Sequence, residues 1–221
     1  MPKRNRWRLP EPETTTKQDP DPALRVLQDL THALLRASRP EEAMQFALDR
    51  ACPVVGASLG SVFVVDGASE LMRLEAAYGW HERWRPWLGE MRVRLGIGPS
   101  GEAASERRVI EVPDVFADPA LEDWQEVARE LGFRALLALP LEAPGSILGA
   151  VTFYFATPGE RPAAHRVLLR AVADVMAAMA DREALRGRLR RAEAALEDQR
   201  SPSEPRREVE EAGEDNAATG G

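Results

Sequence analysis

The sequence of 221 residues contains one cysteine, Cys52, three histidines, and only two lysines, Lys3 and Lys17. A single cysteine cannot form an internal disulfide, and three scattered histidines do not supply the ligands of a zinc or iron–sulfur site. Because no lysine follows position 17, the chain has no candidate for Schiff-base chemistry or for a Walker-type phosphate loop. These counts exclude several classes of enzyme, and we expect no structural metal.

Long apolar runs are also missing. Even a purely apolar stretch such as residues 135–139 is far shorter than the roughly 20 residues that cross a bilayer. The basic N-terminal residues run into Pro10 instead of an apolar signal segment, so we expect a cytoplasmic protein without a membrane partner. The net charge of −7 and the lack of a sustained basic stripe argue against a nucleic-acid partner.

The remaining composition, 44% hydrophobic, allows one globular core with tails. Residues 1–22 are rich in proline and residues 201–221 are acidic, which is typical of disordered tails. Helical patterns predict one helix from Pro22 to about Ser38, a second from Pro40 to about Pro53, and a long last helix from about Pro162 to Gln199. The predicted strands are Leu59–Val65, Leu71–Tyr78, Met91–Leu95, Val109–Val112, Arg134–Leu141 and Ile147–Phe155.

Three of these strands, 59–65, 134–141 and 147–155, carry apolar residues on both of their alternating faces. Both faces of the central sheet must therefore be covered by helices. The connection through Pro144 and Gly145 is too short for a parallel crossover, so the last two strands form an antiparallel hairpin. The sequence predicts an α+β fold with a central antiparallel sheet, helices on both faces and a long C-terminal helix.

The last helix carries two apolar runs whose steps of four and three are typical of coiled coils. We expect the first run to pack on the domain's own sheet. The second run lies in residues 185–200, which we expect to project and to mediate self-association, with a solvated helix as the alternative. The runs are Leu168, Val172, Val175 and Met179, then Leu185, Leu189, Ala192 and Leu196.

Several short motifs occur in an order that resembles a GAF domain, which we place at residues 23–184. They comprise a glycine loop, a strand followed by an aspartate, an Asp-Pro pair, a Gly-aromatic-Arg strand and a Leu-Gly strand. Their agreement in order makes the resemblance specific, although no single motif would suffice. The motifs lie at Leu95–Ala103, Val109–Val115, Asp118-Pro119, Gly132–Leu141 and Ile147–Val151.

The resemblance implies a PAS-like antiparallel sheet with the first and last helices on one face, where they often build a parallel dimer bundle. It implies a small-molecule pocket on the other face, under shorter helices and loops. GAF domains usually regulate and do not catalyse. We therefore expect a sensory module without catalytic residues that binds a small molecule. We expect it to signal through a homodimer of its terminal helices or through a partner protein in trans.

Several of the family's ligand chemistries do not fit this sequence. Cyclic-nucleotide-binding members share an Asn-Lys-Phe-Asp-Glu motif, but here asparagine occurs only at positions 5 and 216. Bilin-binding members need a cysteine beside the pocket and sulfoxide reductases need more than one, whereas Cys52 is alone at the predicted end of helix two. No covalent cofactor is expected. His81 is the one candidate for a haem ligand, and an ordinary surface histidine is the favoured interpretation.

The glycine loop at residues 96–101 also satisfies the dinucleotide motif G-x-G-x-x-G. The segment before it alternates Arg92 and Arg94 with apolar residues, unlike the buried parallel strand of a dinucleotide fold. We therefore favour a tight turn into a short helix that begins at Pro99. The free amides of that helix could still hold an anionic group.

Aromatic residues supply the main pocket candidates. Offsets of four and three predict that Trp80, Trp84 and Trp87 share one face of a helical turn. These tryptophans either plug the open face of the sheet, giving a ligand-free interaction module, or form the wall of a ligand pocket. Asp114 either faces the pocket or instead pairs with Arg134 or caps a turn. The full candidate set is Tyr78, Trp80, Trp84, Trp87, Asp114, Trp124, Phe133, Thr152 and Tyr154.

Overall fold

The computed structural model describes residues 21–37, 39–67 and 69–200. The predicted tails therefore lie outside the described residues, except for their positions 21 and 22. The chain divides into two units after residue 183, and each unit is described by itself. None of the described helices combines the length and the apolarity that crossing a bilayer requires.

Helix α1 (Pro22–Arg36) begins where the sequence predicts it. The carboxylate of Asp21 accepts the backbone N–H of Ala23 at 2.9 Å, and a proline fills the first helical position. The helix ends at Arg36, and the predicted end at Ser38 lies outside the described residues. The capping pattern at Asp21 therefore predicts the start of helix α1 correctly.

Helix α2 (Pro40–Val55) begins as predicted and passes the predicted end near Pro53. It continues for two more residues, because a proline in the last turn removes only one backbone hydrogen bond. Gly56 then ends the helix in the left-handed conformation, with a φ of 69°. The glycine, and not the proline, sets this boundary.

The sheet has six strands in the order β3-β2-β1-β6-β5-β4, and every neighbouring pair is antiparallel. The predicted hairpin between β5 and β6 is present, with Gly145 at a φ of 81°. The outer strands β3 and β4 are shorter than predicted, because an edge strand pairs on one side only. The strands are β1 (Leu59–Val65), β2 (Leu71–Tyr78), β3 (Arg92–Arg94), β4 (Ile110–Val112), β5 (Ala135–Ala143) and β6 (Ser146–Phe155).

Helices cover both faces of the sheet, which confirms the predicted α+β fold. Helices α1, α2 and the first part of α6 (Ala163–Arg200) enclose one apolar core, which includes Leu48 and Phe153. Shorter helices lie over a second core that includes Phe63 and Leu88. These are α3 (Arg85–Glu90), α4 (Gly98–Glu106) and α5 (Gln125–Leu131).

The two apolar runs of α6 have different surroundings. In the first run Leu168 and Val172 belong to the core that α1 and α2 share, and Met179 is also buried. In the second unit Leu185 and Leu189 are more than half exposed. Their predicted role in self-association stays a prediction.

Candidate functional site

A cavity lies between the second face of the sheet and helices α3, α4 and α5. The empty space between its walls, counted together with the open solvent at its mouth, is about 630 Å³. Hydrocarbon and aromatic side chains form most of the wall. In the described chain no residue that lines the cavity has a charged side chain, and three lining residues carry a hydroxyl group: Ser100, Thr152 and Tyr154.

Strand β6 supplies the floor of the cavity because its side chains alternate between the two cores. Val151 and Phe153 belong to the core under α1 and α2, whereas Thr152 and Tyr154 line the cavity. Ser61 on β1 lies directly opposite Thr152 and points to the same face. The alternating side chains of β6 therefore contact both the cavity and the core on the other face of the sheet.

Four hydroxyl groups form a polar cluster at this floor. Ser100 Oγ lies 2.7 Å from Thr152 Oγ1, and Ser61 Oγ lies 3.2 Å from Tyr154 Oη. Burial raises the pKa of Tyr154, while hydrogen bonds from Ser61, Ser100 and Thr152 act in the opposite direction. Tyr154 therefore stays neutral at physiological pH, and the hydroxyl cluster carries no charge.

Aromatic rings form a fixed inner wall next to the hydroxyl cluster. The indole N–H of Trp80 donates to the carbonyl of Gly60 at 3.0 Å, which fixes the orientation of a ring that is only 8% exposed. The Trp80 ring meets the Tyr154 ring edge-on, with ring centroids 5.9 Å apart. The ring centroids of Phe133 and Tyr154 are 4.9 Å apart. Such pairs stabilise each other beyond simple burial.

The mouth of the cavity is apolar and open. Trp87, Trp124 and Ile97 line the cavity, yet they are 41%, 38% and 63% exposed. A Cβ added at Gly98 would lie 3.8 Å from the Trp124 indole, and Gly98 has a φ of 65°. This glycine lets α4 start in a left-handed conformation directly against the ring.

The structure brings many, but not all, of the predicted pocket residues together. Tyr78 packs against the core on the opposite face of the sheet. Trp84 does not line the cavity; it lies edge-on to Trp87 at 5.8 Å and under the guanidinium of Arg83. Those in the cavity wall are Trp80, Trp87, Trp124, Phe133, Thr152 and Tyr154.

Asp114 takes both of the structural roles that the sequence left open and does not line the cavity. One carboxylate oxygen accepts the backbone N–H of Phe116 at 3.1 Å, which caps the turn. The other accepts a hydrogen bond from the Arg134 guanidinium. A ligand role for Asp114 therefore has no support in the geometry.

The predicted single helical face of three tryptophans is wrong. Trp80 precedes the helical segment, which starts with a 3-10 turn at Glu82–Trp84 and continues as α3. The chain bends at Gly79, whose φ is 75° and where a Cβ would lie 2.2 Å from a backbone oxygen. His81, the haem candidate, is exposed outside the lining and its Nδ1 accepts the N–H of Arg83 at 3.3 Å.

The glycine loop allows helix α4 to pack closely against strand β3. Helix α4 begins at Gly98, one residue before the predicted start, and follows β3, an antiparallel edge strand. A dinucleotide fold would place a parallel strand there. A Cβ on Gly101 would lie 2.2 Å from the carbonyl oxygen of Arg94, so this glycine permits the close approach of α4 to the strand.

The sequence analysis missed two residues of the hydroxyl cluster, Ser61 and Ser100. Ser61 is fully buried within an otherwise apolar strand, and this isolated polar residue is the signal that could have identified it. Ser100 lies in the glycine loop, where its hydroxyl offers no distinguishing pattern. Each bonds to a residue far along the chain, at a separation of 93 and 52 positions.

The lone cysteine lies away from the cavity. Cys52 is fully buried in the core under α2, and burial, followed by the negative charge of Asp49, raises the pKa of its thiol to about 12. The thiolate, which is the reactive form, is therefore absent at neutral pH. Among the described residues no group of histidine, cysteine, aspartate and glutamate side chains could hold a metal ion.

We expect Cys52 to react with a disulfide reagent only when the protein unfolds. In the unfolded chain the thiol ionises near its ordinary value of 9, so between about pH 9 and about pH 12 the unfolded state loses a proton that the folded state keeps. Stability should fall with rising pH across that window. Thiol titration with and without urea near pH 8, together with urea denaturation at each pH, measures both effects.

Cys52→Ala is the control for this prediction. It should abolish the reaction and make the alkaline loss of stability shallower. Reaction of the folded wild-type protein at the rate of a free thiol would contradict the expectation.

Comparisons with known proteins agree with the fold described above. A family model described as GAF domain matches residues 37–181. The fold is similar to the GAF domain of a phosphoenolpyruvate-protein phosphotransferase from Coxiella burnetii, at a TM-score of 0.65 and 21% identity, covering 75% of this chain and 96% of that one. It is also similar to the GAF domain of a phosphoenolpyruvate-protein phosphotransferase from Acinetobacter, at a TM-score of 0.63 and 11% identity. This match covers 76% of this chain and 98% of that one.

A further similar structure is an enzyme, a free methionine-R-sulfoxide reductase from Neisseria meningitidis in complex with its substrate. It gives a TM-score of 0.60 at 18% identity, covering 73% of this chain and 91% of that one. At such identities the likeness concerns the fold alone. No curated protein is a significant match to the sequence.

Proposed function

Because this chain belongs to the GAF domain family, whose members commonly have sensory or regulatory roles, we propose that it is a non-catalytic sensor of a small molecule. The ligand binds in the cavity between the sheet and helices α3 to α5. Its presence is passed on through the terminal helices to a second copy or to a partner protein.

The observation that carries this proposal is the open cavity with its aromatic wall and hydroxyl floor. Trp80 and Phe133 are buried and pack against Tyr154, so contacts within the chain itself form the inner wall. Trp87 and Trp124 stay well exposed at the mouth and do not fill the space. This favours a ligand site over a cavity that is plugged by its own tryptophans.

The route to the terminal helices follows from the sheet. Strand β6 contributes Tyr154 to the cavity and Phe153 to the core under α1 and α6. The guanidinium of Arg182 on α6 also donates to the carbonyls of Leu34 and Ala37 at the end of α1, the latter at 2.8 Å, in partly buried hydrogen bonds. A shift of β6 on ligand binding would therefore reach both terminal helices.

Exposed leucines support an output through self-association. Leu185, Leu189 and Leu196 keep coiled-coil spacing and are 52%, 59% and 53% exposed. A second copy of this helix would bury them. We propose a homodimer through this segment as one form of the output.

A catalytic role is not part of the proposal. Sulfoxide reductases of this family use more than one cysteine, to form and then resolve a disulfide. The single cysteine here, Cys52, belongs to the core on the opposite face of the sheet and has a raised pKa.

The proposal is tested with a dye that fluoresces in apolar sites, N-phenyl-1-naphthylamine, and with one blocked variant. Val127 lines the cavity on α5 and is partly exposed, so Val127→Trp adds an indole at the cavity wall. We expect this variant to bind the dye at least about tenfold more weakly, because the added indole occupies the ligand's space.

Glu126→Trp is the matched control, because Glu126 is the preceding residue of α5, is exposed and lies outside the lining. It should bind the dye as the wild type does. Equal binding by both variants, or no binding by the wild type, would contradict the proposal.

A further inference from the structure

We infer that the cavity takes an uncharged, mainly aromatic molecule that carries one oxygen function, a hydroxyl or a carbonyl. This inference deepens the proposed function and rests on it. It concerns the chemical class of the ligand, which the fold alone leaves open. The argument uses the charge of the walls, the position of the hydroxyl cluster and the relation of that cluster to the aromatic rings.

The walls offer no counter-charge to an ionic ligand. Within the described chain no lining residue is charged, and the guanidinium groups of Arg134 and Arg83 are paired with Asp114 and, at 3.5 Å, with Glu130. A carboxylate or phosphate that enters such a site loses its hydration without gaining an ion pair. An anionic ligand is therefore disfavoured.

The start of α4 borders the cavity, but it does not replace a counter-charge. A helix N-terminus provides about half of a unit charge. Here Pro99 lacks an N–H group, so one of the first amides of the helix is missing. Of the first three positions of the helix, only Gly98 and Ser100 therefore carry an amide N–H.

The hydroxyl cluster provides a polar anchor for a neutral group. Each hydroxyl has one donor and two acceptor positions. The bonds between Ser100 and Thr152 and between Ser61 and Tyr154 use only part of this capacity. A ligand hydroxyl, which can donate or accept, fits the cluster whichever way its hydrogens are arranged, and a ligand carbonyl can accept from it.

The anchor lies beside the aromatic wall, so one small molecule contacts both. Tyr154 belongs to the hydroxyl cluster through its oxygen and to the wall through its ring, which meets Trp80 and Phe133. An aromatic ring with an oxygen substituent can therefore pack on the wall while its oxygen reaches Ser100 or Thr152. The combination selects for a neutral aromatic alcohol, phenol or ketone.

Three matched probes test this inference: naphthalene, 2-naphthol and 2-naphthoate, each displacing N-phenyl-1-naphthylamine from the whole protein at neutral pH. The three share one ring system and differ in polarity and charge. We expect 2-naphthol to bind about 3–10 times more tightly than naphthalene, the contribution of one hydrogen bond. We expect it to bind at least about tenfold more tightly than the anion 2-naphthoate.

Thr152→Val removes one hydroxyl from the cluster at nearly constant shape. It should reduce the advantage of 2-naphthol over naphthalene, and Thr152→Val combined with Ser100→Ala should abolish it; naphthalene binding should stay unchanged in both variants. Thr157→Val, at an exposed threonine outside the lining, is the matched control and should keep that advantage. If Thr152→Val does not fold, Ser100→Ala removes the other hydroxyl of the same pair.

The outcomes separate this inference from the proposed function. Binding of 2-naphthoate as tight as that of 2-naphthol, or an advantage of 2-naphthol that survives the loss of both hydroxyls, overturns the inference alone. Dye binding without displacement by any of the three probes does the same. The absence of dye and probe binding alike overturns the proposed function and this inference with it.

Discussion

Trp80→Ala is expected to lower the free energy of unfolding by about 3–5 kcal/mol. The indole is 8% exposed, contacts the ring of Tyr154 and donates its N–H to the Gly60 carbonyl at 3.0 Å. The substitution creates a cavity in the second core and leaves that carbonyl without its side-chain partner. Urea denaturation followed by circular dichroism measures the change without depending on the lost fluorophore.

Trp84→Ala is the control for this prediction. Trp84 is only partly buried, and it lies at the edge of the second core beside Trp87 and Arg83. Its replacement should cost about 1–2 kcal/mol, the combined size of one aromatic pair and one cation–π contact. Equal losses from both substitutions would show that Trp80 is not the rigid inner wall described above.

Gly149→Ala is expected to destabilise the protein by about 3 kcal/mol or more. Gly149 lies in β6 with a φ of 154°, and a Cβ there would be 2.0 Å from the carbonyl oxygen of Phe63 in β1. The substitution combines an unfavourable backbone conformation with a clash against backbone at the centre of the sheet. The free energy of unfolding, again from urea denaturation, is the measurement.

Gly89→Ala provides the comparison for this second prediction. Gly89 lies exposed in α3, and a Cβ there would meet no atom within 4 Å. Because alanine favours a helix more than glycine does, this variant should match or exceed the wild-type stability by up to about 1 kcal/mol. A Gly149→Ala protein as stable as the Gly89→Ala protein would contradict the sheet geometry.

The sequence predicts the central strands better than the edges of the sheet. Strands β1 and β2 have the predicted bounds, because each begins and ends with an apolar or aromatic residue. Strand β5 extends two residues beyond the predicted Leu141 to Ala143, following its pairing with β6 through an irregularity in register. Because such an extension depends on the partner strand, no local sequence pattern predicts it.

The site was harder to predict because it depends on long-range pairing. Tyr78 follows Met72 at an even spacing, yet Met72 belongs to the cavity-side core and Tyr78 to the opposite one. The cause is a bulge at Glu75, which shifts the register between β2 and the Val62–Phe63 step of β1. One extra residue reverses the faces of the strand beyond it.

The aromatic wall, in contrast, could be proposed from residue types alone. Large aromatic side chains are few in this sequence, so Trp80, Phe133 and Tyr154 were identifiable as candidates without coordinates. The hydroxyl cluster could not be identified in that way, because Ser61 and Ser100 join it only through the folded sheet and helix α4. The sequence therefore indicated the aromatic part of the site and two of its four hydroxyl groups, and it missed the other two.

The most direct test of the proposed ligand site is a crystal structure of the protein soaked with 2-naphthol. Our account predicts the ring system against Trp80 and Phe133, with its oxygen within hydrogen-bond distance of Ser100 or Thr152. The contrary result is a cavity filled by the side chains of Trp87 and Trp124, with the probe bound elsewhere or absent.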